Sequence, residues 1–237
     1  PIILGSSSLN YLAPGLDPFF FKLTILLIHL CSGLCVYWIS GFLFSAATPP
    51  MEHAENEPST KSGPLIVSAL WLLHPFNLTG VLYIVQRMAG LAALFVLLGI
   101  AFYLWGRHRQ ILGKKGVLLI ALSYVVFFPL ATFTKENGAL LPFYLFLVEL
   151  VVLRFKITSI MHRNVLIAFH TLVAVVPAMV IIGYLSVNLD WLKSTYATLP
   201  FNLTERIMTE GRVIWLYIFL TFVPYLKSMG VFHDDIA

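Results

Sequence analysis

Long apolar runs make up most of this chain, and its polar residues are confined to the gaps between them. The runs cover about 18–45, 64–86, 88–105, 116–133, 138–153, 164–187 and 213–226. Most lack the alternating polar face that a water-exposed helix needs, which predicts helices whose solvent is lipid. The expected fold is therefore all-α, a polytopic transmembrane helical bundle forming one transmembrane domain over 1–237. Asp17-Pro18 predicts the start of the first span, with a capping carboxylate followed by proline at the first helical position. The run over 64–86 is expected to be broken or re-entrant. Its core reads WLLHPFNLTGVLYIVQRMAG over 71–90, where Pro75 removes a backbone donor and biases His74 away from helical dihedrals. The stretch from 64 to 73 is about 15 Å of helix, roughly half a bilayer core. Pro177 predicts a kink in the run 164–187. The last run is short for a crossing and contains Pro224, and the charged residues before it (Glu205, Arg206, Glu210, Arg212) predict an amphipathic start lying on the membrane.

The polar gaps orient these spans. Lys/Arg clusters at 107–115 and 154–163 belong on the cytoplasmic side. One crossing separates both clusters from the TKEN turn, so Lys135 and Glu136 fall on the outer face, and the same parity puts 74–87 and 188–212 there. Residues 46–63 form a solvated linker whose glutamates lack metal-ligand spacing. Composition sharpens the picture: 11% of residues are charged, against roughly 25% in soluble domains, and the mean hydropathy is +0.88. The net charge of +4 resides in loops, with no basic stripe interleaved with aromatics, which argues against nucleic acid as a partner. Cys31 and Cys35 are expected as buried small residues, and His29 as a hydrogen-bonded helix contact. Ser32, Gly33, Ser40 and Gly41 should allow close helix approach. Glu149 is expected to pair locally with Arg154.

Candidate chemistry is sparse. Lys135-Glu136, held in a tight turn between two spans, suits an anionic headgroup gripped by the lysine and a carboxylate that orients it. Arg87, Arg206 and Arg212 match phosphate oxygens in geometry, although interfacial snorkelling is the simpler explanation of each one alone. His233-Asp234 is a candidate to orient a base or hold a divalent cation. Asn77-Leu78-Thr79 and Asn202-Leu203-Thr204 match the glycosylation sequon. No phosphate-cradling glycine loop, zinc-protease motif or serine-hydrolase elbow is present.

Taken in order, the stretch from SSSLNYLAPG to GLCVYW, then LWLLHPFNLTGVLYIVQRMAG, FPLATFTKENGALLPF, TERIMTEGRVIWLYIFL and FHDDI resemble one family. It comprises the multispanning, tetratricopeptide-tailed glycosyltransferases of GT-C type, the transmembrane-and-tetratricopeptide O-mannosyltransferases and bacterial relatives, some linked to pilin glycosylation. The resemblance implies a GT-C-like membrane domain that transfers a sugar from a polyprenyl-phosphate donor to a protein or glycan, a pilin among the possible acceptors, on the outer face. It places the family's first span and acidic catalytic loop before Pro1, and the later spans and tail after Ala237. By this resemblance Gln86, Arg87, Lys135, Glu136 and Arg212 line the donor-phosphate cavity, while His74, Asn77, His233 and Asp234 face an acceptor or a divalent metal ion. The implied location is the bacterial inner membrane, or the endoplasmic reticulum in a eukaryote. Two rival readings stand beside it: a lipid-linked glycan ligase or flippase, and a non-catalytic membrane subunit of a larger complex.

Overall fold

The computed structural model describes residues 18–47, 59–77, 80–81, 86–157, 160–189, 194 and 202–224. Among these every ordered element is helical. Helix α1 is Pro18–Ala47, α2 is Ser59–Leu73 and α3 is Arg87–Ile111. Helix α4 spans Val117–Thr134 and α5 Glu136–Leu153. Helix α6 covers 160–187 as the segments Ile160–His170, Thr171–Val175 and Val176–Val187, and α7 is Leu203–Phe222. Helices α1, α3, α4, α5 and α6 are each long and apolar enough to cross a membrane, so the chain is an all-α polytopic bundle of an integral membrane protein.

Side-chain contacts fix the directions of these helices. On α1 and α2, Gly33 faces Leu72, Ser40 reaches the Pro64 carbonyl and Phe44 meets Gly63, so the two form an antiparallel hairpin. Ser68 closes it by donating to the Gly33 carbonyl at 2.7 Å. The small residues of α1 act as expected, since a Cβ at Gly33 would stand 2.5 Å from the Leu72 side chain. Helix α3 runs parallel to α1, with Arg87 beside Phe21 and His108 beside Phe42. Helix α4 returns antiparallel to α3, because Gly106 meets Gly116 while Ser123 donates to Gly99. Helix α5 descends again beside α3, from Leu141 at Gly99 to Glu149 at Arg107. One end of the bundle therefore carries Phe21, Arg87 and Lys135. The other carries Phe44, Gly63, Arg107, Gly116 and Leu153.

Four expectations need adjustment. Helix α2 starts five residues before Pro64, so the proline sits in its second turn and forfeits one hydrogen bond, to the Thr60 carbonyl four residues back. It still ends at Leu73, and a single 3₁₀ turn, Pro75–Asn77, follows the break. Helix α3 continues past Trp105 to Ile111, since Arg107 is neutralised by Glu149 within the protein rather than in water. The amphipathic start and the apolar run of the last region form one helix, α7, whose Asn202 cap accepts from the Glu205 amide while the Glu205 carboxylate accepts from the Asn202 amide. A capping box thus accounts locally for Asn202. Cys31 and Cys35 are free as expected, but Cys31 is exposed and Cys35 half-buried; the face of α1 that packs inward is formed by Ser32, Gly33 and Ser40 instead.

Candidate functional site

The kink expected at Pro177 takes the form of a π turn, Thr171–Val175, and a second π turn, Ser123–Phe127, precedes Pro129 in α4. Each proline crowds the carbonyl four residues back, Val173 or Val125, and widening the helix by one residue accommodates it. A third π turn, Glu149–Leu153, ends α5. These three distortions carry three polar side chains inward. His170 immediately precedes the first in α6, Tyr124 lies within the second and Glu149 begins the third. All three converge on Tyr103 of α3. The Tyr103 hydroxyl donates to Glu149 Oε1 at 2.7 Å and lies 3.0 Å from His170 Nε2, with the Tyr124 hydroxyl 3.2 Å from the same nitrogen. His170 Nδ1 faces the Leu166 carbonyl at 2.9 Å, which can only accept, so Nδ1 carries a proton.

Arg107 completes this cluster. Its Nε and Nη2 grip the two oxygens of Glu149, Nη2 also donates to the Lys156 carbonyl at 3.0 Å, and Nη1 donates to Gln110 at 3.0 Å. Arg107, Glu149, Tyr103 and His170 are all fully buried. Glu149 therefore does not pair with Arg154. The chain enters the left-handed region at Arg154 and Phe155, both with φ of 51°, and this reversal leaves Arg154 exposed. The partner of Glu149 is forty-two residues away, on a helix that runs beside its own. With its charges paired and its four central side chains fully buried, the cluster is built to lock α3, α4, α5 and α6 together. The sequence signal for it was present in Glu149 and His170, ionisable groups placed inside apolar runs.

At the opposite end, the residues singled out from the sequence are divided between locations. Arg87 is buried, 5% exposed, with its guanidinium 5.5 Å over the Phe21 ring, so it does not snorkel to the interface. It lines a pocket of about 200 Å³ together with His29, Ser32, Trp71 and Asn77. Asn77 donates to the Trp71 carbonyl at 2.7 Å and so closes the broken end of α2. His29 meets the Leu72 carbonyl at 3.0 Å and stacks on Trp71, the helix contact expected of it. His74 has both ring nitrogens engaged: Nδ1 accepts from the Phe76 amide at 3.2 Å, and Nε2 donates to the Thr221 carbonyl of α7 at 3.0 Å. That arrangement ties the break to α7, reinforced by Phe76 against Tyr217, and leaves His74 no ring lone pair for a metal.

Gln86 is half-buried at the start of α3 and makes no side-chain cap. Lys135 is the single extended residue between α4 and α5, at the same end of the bundle as Arg87. Glu136 opens the next turn and is exposed; among the described residues the ion pairs are Arg107–Glu149 and Arg206–Glu210, so Glu136 does not hold Lys135. The turn is tight because Gly138 packs on the Ala131 backbone, where a Cβ has no room. Arg212 is exposed and lines a separate groove along α7 with Glu205 and Arg206. His233 and Asp234 lie outside the described residues. Among the described residues no three His, Cys, Asp or Glu side chains gather as metal ligands.

Fold and site together define an α-helical integral membrane protein with a sealed ionic cluster at one end and a small, partly polar pocket at the other. Comparison with known proteins gave no matching family model, no matching curated protein and no matching solved structure.

Proposed function

We propose that this chain is part of a GT-C-like membrane glycosyltransferase that uses a polyprenyl-phosphate-linked sugar to modify a protein or glycan on the outer face of the membrane. The observation that carries this reading is the pocket shared by Arg87 and Asn77 across the Pro75 break, where a buried guanidinium faces a recess between apolar helices. A buried arginine beside polar side chains at the rim of a lipid-immersed bundle suits a lipid phosphate, whose oxygens match its donors. A recess of about 200 Å³ has room for a phosphate or part of a sugar, with the polyprenyl chain lying in the bilayer. Lys135, at the same end, adds a second cation to offset the charge that develops on the departing phosphate. The positive-inside rule puts this end outside, since the basic residues of the 107–115 and 154–163 segments sit at the other.

The test is sugar transfer from a polyprenyl-phosphate donor, measured in membranes of cells expressing the intact gene. Arg87→Ala and Lys135→Ala are each expected to lower transfer roughly 10- to 100-fold, the worth of a hydrogen bond to a charged group, with the amount of inserted protein unchanged. Normal glycosylation by both variants would end the proposal.

A further inference from the structure

At the Arg107 end, α1, α3 and the last turn of α5 diverge and leave a cavity of about 770 Å³. It lies a bundle length from the Arg87 pocket and owes nothing to the proposed donor site. Its walls are aromatic: Trp38 stacks on Phe42 at 6.4 Å, Phe42 meets the His108 ring edge-on at 5.7 Å, and Trp105 and Tyr37 complete the lining. Its polar side chains include Lys156 and His108, both exposed. Lys156 arrives there by a costly route. Two consecutive non-glycine residues, Arg154 and Phe155, adopt φ of 51°, a conformation that persists only where the surroundings impose it. Those surroundings are visible: Arg107 holds the Lys156 carbonyl at 3.0 Å, the Lys156 amide returns to Leu153 at 3.0 Å, and the Phe155 ring packs by His170. The sealed cluster therefore clamps the turn that presents Lys156 at the cavity.

We propose that this cavity binds an anionic phospholipid, its headgroup phosphate held by Lys156 and His108 and one acyl chain lying between Trp38, Phe42 and Trp105. Charge complementarity selects the occupant. The cavity opens among membrane-spanning helices at the Lys/Arg-rich end, where the cytoplasmic leaflet supplies anionic headgroups, and basic pockets between such helices suit them. Aromatic walls with a cationic mouth match a molecule that is apolar over most of its length and negatively charged at one end.

Quenching of tryptophan fluorescence by lipids brominated on the acyl chain tests the proposal, with the intact protein in vesicles of phosphatidylcholine. Brominated phosphatidylglycerol is expected to quench more than brominated phosphatidylcholine at equal mole fraction, with a preference of roughly five-fold per basic side chain. Lys156→Ala combined with His108→Ala should abolish the excess, Lys156→Arg should keep it, and Lys114→Ala with Lys115→Ala, outside the cavity, should also keep it. Trp38→Phe with Trp105→Phe should remove the excess while Trp71, Trp191 and Trp215 still fluoresce, a readout that does not depend on removing Lys156. Equal quenching by the two lipids would overturn the site. So would an excess that survives loss of Lys156 and His108, or one that disappears with Lys114 and Lys115 and thus reports only surface charge.

Discussion

Arg107 and Glu149 are the residues whose environment decides most at the atomic scale. Both are fully buried, and a charge taken out of water is tolerated only when its partner and remaining hydrogen bonds are supplied. Arg107 meets that condition with donations to Glu149, Gln110 and the Lys156 carbonyl. Removing one partner should therefore cost more than removing both. Arg107→Met, or Glu149→Leu, is expected to destabilise the protein by about 3–5 kcal/mol, and the double variant to recover most of that loss. Thermal unfolding in detergent measures it, and additive losses in the double variant would show that the two side chains are not coupled. The charge of each was plain from the sequence, and its partner was not. Glu149 stands five positions from Arg154, and proximity along the chain favoured that pairing until the left-handed turn at Arg154 and Phe155 carried the nearer cation away.

Among the elements, glycine and proline placement sets how closely the helices approach and where they distort. Gly106 of α3 crosses Gly116, just ahead of α4, with the backbones in contact; a Cβ at Gly106 would lie 2.8 Å from the Gly116 carbonyl oxygen and equally close to Ile120. Gly183 of α6, by contrast, has nothing within 4 Å of the corresponding point. Gly106→Ala is accordingly expected to destabilise by about 1–3 kcal/mol, as forced overpacking does, whereas Gly183→Ala should be neutral or stabilising by up to about 1 kcal/mol through helix propensity. Unfolding midpoints for the two variants compare them directly, and equal effects would refute the close crossing. The prolines were legible as helix disturbances: Pro75 ends α2 at Leu73, and Pro177 perturbs α6. Their consequence was hidden, because whether a proline produces a bend or a π turn depends on what the displaced residues pack against. Here the π turns deliver Tyr124 and His170 to Tyr103.

For the whole molecule, the contacts settle which helix ends lie together. Arg87 and Lys135 share one end, and the basic segments after α3 and α5 share the other. Given the positive-inside rule, a cysteine at Asn137 in a protein lacking Cys31 and Cys35 should react with a membrane-impermeant thiol reagent applied from the non-cytoplasmic side, and a cysteine at Lys114 only after the membrane is opened. The reverse pattern would invert the orientation and place the Arg87 pocket on the cytoplasmic face.

By itself the chain determined the class of protein, the approximate spans and the break at His74-Pro75. These follow from local physics: lipid demands long apolar helices whose backbone groups are satisfied internally, and a proline lacks a donor wherever it stands. It also indicated which ends lie together, because each crossing reverses direction. Tertiary structure alone decided that Arg107 would be buried rather than cytoplasmic, that Arg87 and Asn77 would share a recess while Arg212 stayed apart, and that Lys156 would meet a cavity lined by aromatic rings. Those outcomes depend on the rotation of each helix about its axis. A largely apolar surface leaves that rotation undetermined until small residues, π turns and a few polar partners interlock.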